Sequence, residues 1–121
     1  MLGNFMEVFY HLVYEYQKGL RDLCLFTCVD KFFDKIKKIL EYQKIDYLVL
    51  ALPEDKINIF FGLKDCIDIV KSFSSEELNL LAPEEDFILG MMLGYSRQKQ
   101  YSRFLKKKNL IEFNQVVAES C

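Results

Sequence analysis

Residues 45–62 restrict the fold more than any other stretch, because they predict a β-hairpin. They read IDYLVLALPEDKINIFFG. Tyr47–Leu52 is an unbroken apolar run, typical of a strand that is covered on both faces. Pro53–Lys56 is the turn, where proline presets φ and the charged residues keep the tip in water. Ile57–Phe61 is the returning strand, so the fold is expected to contain at least one antiparallel strand pair.

Helices are predicted on both sides of this hairpin, and one further strand precedes it at residues 21–29. The helices are expected at residues 4–18, 31–43, 63–72, 74–81 and 83–107. Ser74 and Glu77 form a capping-box pattern that starts the fourth helix, and Pro83 in the first turn starts the fifth. Residues 110–121 are expected to be a tail.

The element order predicts a single α+β domain that spans residues 1–121. Its sheet is expected to be three-stranded and mixed, built on a β-α-β-β core and packed with about five helices. We expect the strand order 1-2-3; the alternative order places the third strand in the middle. So narrow a sheet has two exposed edges, and an exposed edge is a template for pairing with another chain. We therefore expect a homodimer, held by a sheet edge or by a face of the fifth helix.

The composition argues against several classes of function. Lys and Arg number 16 and Asp and Glu number 18, which gives a net charge of −2 and lacks the basic excess that binds nucleic acid. No apolar run reaches the ~20 residues that span a bilayer. The first residues lack the pattern of a signal peptide, so we expect a cytoplasmic location. The glycine-rich loops that cradle nucleotides are also missing, so no cofactor is expected.

The cysteines and the histidine predict neither a disulfide nor a metal site. Cys24 and Cys28 share the first strand at a separation of ~13 Å, beyond the reach of a disulfide. His11 is the only histidine and cannot complete a Cys/His zinc set. We expect these two cysteines, together with Cys66 and Cys121, to be reduced thiols, and their redox role is not determined by the sequence.

His11 is the one side chain around which an enzyme can be imagined. Glu7 and Glu15 lie at i−4 and i+4, so a carboxylate could hold the imidazole as a general base. A surface salt bridge accounts for the same spacing. No nucleophile can be placed beside His11 from the sequence, so no catalytic residue is assigned.

Two glycines in the fifth predicted helix mark a candidate interface. Gly90 and Gly94 each cost about 1 kcal/mol relative to alanine inside a helix, and their spacing of four places them on one face. Such a face allows a second backbone to approach closely, either in a partner copy or within one subunit. Tyr10, Tyr14 and Tyr95 are added to the candidate interface, because tyrosine is common where a surface is partly buried.

Four cations are candidate contacts for a partner of opposite charge. Lys18 and Arg21 flank a predicted turn, and Arg97 and Arg103 lie in the fifth predicted helix. Acidic proteins are the partners that such cations suit. The carboxylates that begin the fifth helix are explained by the helix dipole rather than by a metal.

Three segments resemble the short bacterial proteins grouped as domain of unknown function 2023. The segments are FYHLVYEYQKGLR at Phe9–Arg21, INIFFG at Ile57–Gly62 and PEEDFILGMMLGY at Pro83–Tyr95. The resemblance implies three strands, five helices and a homodimer. It assigns no activity, so it carries over no functional residue. It also implies a link to flavodoxin, whose genes neighbour those of the family.

These observations lead to three hypotheses about function. The first is a non-catalytic, homodimeric interaction or accessory module in the bacterial cytoplasm. The second is an accessory or regulatory partner of flavodoxin-dependent electron transfer, with flavodoxin or another acidic protein bound by the four cations. The third is a small enzyme that uses His11, which requires a pocket that reaches this side chain.

Overall fold

The computed structural model describes the backbone of residues 2–120 and the side chains of residues 5–110. The chain forms two compact units, Met1–Ser72 and Phe73–Cys121. The first unit contains α1 (Leu2–Gln17), β1 (Leu23–Val29), a 3-10 turn (Asp30–Phe32), α2 (Phe33–Tyr42), β2 (Asp46–Leu52), β3 (Lys56–Gly62) and α3 (Lys64–Lys71). The second contains a 3-10 turn (Leu78–Leu80), α4 (Pro83–Met92) and α5 (Arg97–Ser120). The predicted α+β class with three strands and five helices is confirmed, and the single domain stays a prediction.

The sheet is antiparallel throughout and has the order β1-β3-β2. The predictions of a mixed sheet and of a β-α-β-β core with the order 1-2-3 are therefore wrong, and the alternative with the third strand in the middle is correct. The burial pattern agrees with this order. Every residue of β3 after Lys56 is buried, whereas β1 and β2 both contain exposed positions. A central strand is shielded by a neighbour on each side, whereas an edge strand has one open side. β3 therefore is the most buried strand, although β2 is equally apolar in sequence, and β1 and β2 do not pair directly.

One face of the sheet is covered by α1 and α2. Phe9 of α1 is fully buried, and its ring lies 5.4 Å from Phe26 of β1 and 5.5 Å from Phe61 of β3. Ile36 and Leu40 of α2 complete the same cluster. This core fixes both helices on the sheet, and their opposite sides face outward.

The hydrogen-bond register shows which backbone groups point away from the sheet. Leu63 N donates to Asp22 O at 2.9 Å, and Asp30 N donates to Asp55 O at 2.8 Å. Bonded pairs recur every second residue in an antiparallel ladder, so the bonded residues of β1 are 24, 26 and 28. Those of β2 are then 46, 48, 50 and 52. The amides and carbonyls of Tyr47, Val49 and Ala51 consequently point outward from β2.

The single helix predicted over residues 83–107 is two helices. Gly94 adopts φ +78°, and α4 ends there with Gly94 N donating to Met91 O and Tyr95 N donating to Gly90 O, both at 3.1 Å. This is a Schellman ending, in which a left-handed residue satisfies the last carbonyls of a helix. The chain then starts α5, whose backbone remains helical to Ser120 and so includes the predicted tail. Cys121 lies outside the described residues.

The helix predicted over residues 74–81 is replaced by an irregular segment with one 3-10 turn. Ser74 donates from its amide and its hydroxyl to the carboxylate of Glu85, at 2.8 and 2.6 Å. Glu77 N is bonded to Ser75 Oγ instead of Ser74. The capping-box pattern was therefore assigned to the wrong helix, because Glu85 also accepts from Ala82 N and caps α4.

The acidic start of α4 is joined to the basic stretch of α5. Asp86 accepts from Arg103 Nε at 2.7 Å and from Arg103 Nη2 at 3.1 Å, and Lys107 Nζ lies 3.1 Å from the same carboxylate. Glu84 pairs with Lys108. Hydrogen bonds from Arg103 hold the pKa of Asp86 below its ordinary value. These contacts make α4 and α5 a clasped helical hairpin.

We expect replacement of Asp86 by asparagine to lower the free energy of unfolding by about 2 kcal/mol near neutral pH, because a charge-assisted pair is lost. The carboxylate has a lower pKa in the folded chain than its ordinary 3.8. The contribution of Asp86 to the free energy of unfolding is therefore complete above pH 3.8 and is lost as the pH falls through the lower pKa of the folded chain. Urea denaturation of both proteins across this range measures the effect. The two stabilities should converge in acid, and a difference that persists unchanged would contradict the role of the ion pair.

The helices of the described residues do not meet the requirement for crossing a bilayer. None of them combines the necessary length with sufficient apolar character. The longest, α5, carries six lysine and arginine residues between Arg97 and Lys108.

Candidate functional site

A groove with a volume of about 530 Å³ lies between α1 and α2 in the first unit. Its lining residues come from the outward sides of the two helices and are Tyr10, Val13, Tyr14, Gln17, Lys38, Ile39, Tyr42 and Gln43. We call this surface the tyrosine groove. The floor is apolar, since Val13 is buried and Ile39 half-buried, and the walls carry three tyrosine rings.

One end of the tyrosine groove is closed by a hydrogen bond between the two helices. Gln17 Nε2 at the end of α1 donates to Gln43 Oε1 just after α2, at 2.9 Å. The two helices therefore end side by side. Both have Schellman endings, in which Leu20 N donates to Glu15 O and Ile45 N donates to Leu40 O, each at 2.9 Å. These bonds satisfy the carbonyls of Glu15 and Leu40 and hold the two helix ends beside the groove.

Tyr10 and Tyr14 were predicted as interface residues, and the structure places both in the tyrosine groove. Tyr10 is 46% exposed and Tyr14 is 54% exposed. Tyr42 of α2 faces them as the third aromatic wall and is 84% exposed. Tyr42 was not predicted as a functional residue. Tyr42 lies two residues after Leu40, the last buried residue of α2. A large ring outside the buried stripe of the helix is unfavourable in water, and this feature of the sequence could have indicated a functional residue.

Gly90 and Gly94 do not share the face of one helix, because α4 ends at Met92. A Cβ on Gly90 would lie 2.1 Å from Gln100 Oε1, so this glycine is in contact with α5 of its own chain. Gly94 lies outside α4 in the turn that follows, with open space around its Cα. Tyr95 also lies in this turn and is 52% exposed. The close approach that the spacing predicted is therefore an intrachain helix contact made by Gly90 alone.

The four predicted contact cations lie two in each compact unit, and two of them have acidic partners in their own chain. Arg21 Nε lies 3.0 Å from Glu15 Oε2, and Arg103 binds Asp86 as described above. Lys18 Nζ lies 5.5 Å from the centroid of the Tyr14 ring, beside the tyrosine groove. Arg97 is exposed at the start of α5. Lys18 and Arg97 are the more accessible of the four.

His11 is far from the geometry of a catalytic base. Its Nε2 lies 3.0 Å from Glu15 Oε1, and its side chain is 70% exposed. The tyrosine groove does not include His11 among its lining residues. The tyrosine groove therefore does not supply the pocket that the enzyme hypothesis requires at His11.

The described cysteines lie in the core. Cys24, Cys28 and Cys66 are buried, and burial raises the pKa of each thiol, that of Cys24 to about 11. Cys24 Sγ also donates to Leu12 O at 3.6 Å. A thiol with a raised pKa is a poor nucleophile. Among the described residues, no three His, Cys, Asp or Glu side chains are grouped so that they could hold a metal ion.

Most of the chain is similar to a family of proteins without an assigned role. A family model described as "Protein of unknown function (DUF2023)" matches residues 7–107, which is most of the 121-residue chain. No curated protein matches the chain. The matched range contains every lining residue of the tyrosine groove and all three strands, but the description assigns no residue a role.

Proposed function

We propose that this chain, which belongs to the DUF2023 family, is a homodimeric, non-catalytic interaction module of the bacterial cytoplasm. We further propose that the two copies join through the outer edge of β2. The proposal is supported by the outward backbone groups of that edge. Tyr47, Val49 and Ala51 present outward amides and carbonyls, and within the described chain no other segment forms a backbone hydrogen bond with them.

The β2 edge is not shortened, bulged or interrupted by proline, and its outward residues Tyr47, Val49 and Ala51 carry no charge. Natural edge strands are commonly shortened, bulged or interrupted by proline or charge. Here seven residues of β2 pair with β3 in an unbroken register, which excludes a bulge. The only charged residue of β2 is Asp46, at its first position. A long, regular, uncharged edge is a template for another strand.

A two-fold axis at Val49 gives the simplest pairing between copies. Val49 then lies opposite Val49 of the second copy, and Tyr47 lies opposite Ala51. All three residues have outward backbone groups, so this arrangement forms six hydrogen bonds. The large Tyr47 side chain meets the small, exposed Ala51, which leaves room for the second strand to approach. The product is a continuous six-stranded antiparallel sheet.

Sedimentation equilibrium tests the dimer. The expected mass is twice the 14.4 kDa of one chain. A mass of 14.4 kDa at every accessible concentration would end the proposal.

A second candidate function is contact with an acidic protein such as flavodoxin. It is favoured by α5, whose exposed residues Arg97, Lys99 and Lys106 form no ion pair within the described chain. Lys99 and Lys106 are seven residues apart and so lie on one side of the helix, with Arg103 between them. Lys18 adds a separate cation in the first unit. Exposed cations of this kind accelerate association with acidic surfaces.

Calorimetric titration of flavodoxin into the chain at low salt tests this second candidate. We expect a heat of binding at tens of micromolar that weakens as salt is added. Replacing Lys99 and Lys106 by glutamine should weaken binding further. The matched control is Lys37→Gln with Lys56→Gln, which removes two exposed lysines elsewhere. Absence of heat, or equal loss in both variants, would exclude α5 as the contact.

A further inference from the structure

The tyrosine groove has the size and lining of a small-molecule site. Its volume of about 530 Å³ lies within the range of ligand pockets, ~300–1,000 Å³. Such pockets combine apolar and aromatic walls with a few hydrogen-bonding groups. Here the three tyrosine hydroxyls and the amides of Gln17 and Gln43 supply those groups. The rings of Tyr10, Tyr14 and Tyr42 supply flat surfaces on which another ring can stack.

The charges around the tyrosine groove favour an anion. Lys38 is the only lysine, arginine, aspartate or glutamate among the lining residues, and Lys18 lies beside Tyr14. No carboxylate lines the groove. The C-termini of α1 and α2 place partial negative charge at the Gln17–Gln43 end, but the carbonyls of Glu15 and Leu40 there are bonded to backbone amides. Two full positive charges therefore outweigh these partial ones.

We propose that the tyrosine groove binds a small planar aromatic molecule that carries one negative charge. The ring of the ligand stacks against the tyrosine walls above Val13 and Ile39, and its anionic group pairs with the ammonium of Lys38. Gln17 and Gln43 close one end and limit the length of the ligand. This binding is independent of the dimer proposed above, because the lining residues come from α1, α2 and Gln43, not from the β2 edge.

Three probes with the same ring and different charge test the proposal on the full chain: 2-naphthoate, 2-naphthylmethanol and 2-naphthylmethylammonium. Amide and side-chain NMR spectra are recorded during each titration. We expect 2-naphthoate to shift the signals of the groove residues with a Kd of roughly 1 mM, since ligands of this size bind weakly. The alcohol should bind about fivefold more weakly, and the ammonium more weakly still.

Matched variants locate the binding. Lys38→Met should weaken 2-naphthoate about fivefold and leave the alcohol unchanged, whereas Lys37→Met, on the same helix but outside the groove, should change neither. Tyr42→Ala should weaken both probes about tenfold, and Tyr95→Ala neither. Tyr42 and Lys38 are exposed, so these variants are expected to fold normally.

Three results would overturn the proposal. The first is the absence of shifts in the tyrosine groove at the highest probe concentration. The second is binding of the ammonium probe as tight as that of 2-naphthoate, because the groove would then select no charge. The third is movement of the groove signals on dilution of the chain without any probe, because a second copy would then occupy the groove.

Discussion

Replacing Ala51 by proline is expected to convert the dimer to a monomer. Proline lacks an amide hydrogen, and the amide of Ala51 points away from β3. Two bonds are lost per dimer at about 1 kcal/mol each, and the ring occupies the space of the approaching strand. The dissociation constant should therefore rise about 100-fold or more. Sedimentation at several concentrations gives the dissociation constants of the unmodified chain and of the Ala51→Pro variant.

Val29→Pro is the matched control on the opposite edge of the sheet. Val29 also has an outward amide, and its φ of −70° already suits proline. We expect this variant to remain a dimer with unchanged stability. If Val29→Pro abolished the dimer while Ala51→Pro preserved it, the copies would join through β1, and the choice of β2 would be wrong.

Replacing Phe61 by alanine is expected to lower the free energy of unfolding by about 4 kcal/mol, a large share of the roughly 5–15 kcal/mol that stabilises a typical domain. Phe61 lies in the central strand, is fully buried and packs against the ring of Phe9 at 5.5 Å. Its removal leaves a cavity between the sheet and α1, and neighbours held on two sides cannot collapse into it. Urea denaturation followed by circular dichroism measures the loss.

The control for this variant is Leu20→Ala, which truncates an apolar side chain that is 68% exposed. Its effect should stay below about 0.5 kcal/mol. An equally small effect of Phe61→Ala would mean that the sheet and α1 do not form the core described above. The two substitutions together therefore test whether β3 is the centre of the fold.

The elements with strong local signals were predictable from the sequence. The hairpin of β2 and β3 was predicted with its turn, because the chain between the strands is too short for any other connection. The strand order was not, because it depends on which strand buries both faces. The burial of β3 depends on the packing of α1 and α2 against the sheet, which the sequence does not specify locally.

The break between α4 and α5 shows a different limit. Gly90 and Gly94 have helical spacing, so the sequence predicted one continuous helix with a small-residue face. Gly94 instead adopts a left-handed φ and ends α4, while Gly90 makes room for Gln100. The pairing of Asp86 with Arg103 spans 17 residues and stabilises the hairpin. The periodicity of apolar residues within one helix does not reveal a contact between side chains that are 17 residues apart.

Two of the eight residues that line the tyrosine groove were predicted from the sequence, as interface residues. Tyr10 and Tyr14 were predicted because they share the less apolar side of α1. Tyr42 and Lys38 belong to another helix, and only packing of both helices on one face of the sheet brings them opposite the tyrosines of α1. The predicted cations Arg21 and Arg103 proved to have acidic partners within the chain, which a count of charges does not reveal.

Amide hydrogen exchange at Tyr47, Val49 and Ala51 tests most directly whether two copies join along β2. These amides point away from β3, so within one copy they would exchange quickly. Pairing with a second copy predicts protection comparable to that of Leu48 and Leu50, decreasing as the protein is diluted. Rapid exchange of all three at a concentration where sedimentation reports a dimer would contradict the β2 interface.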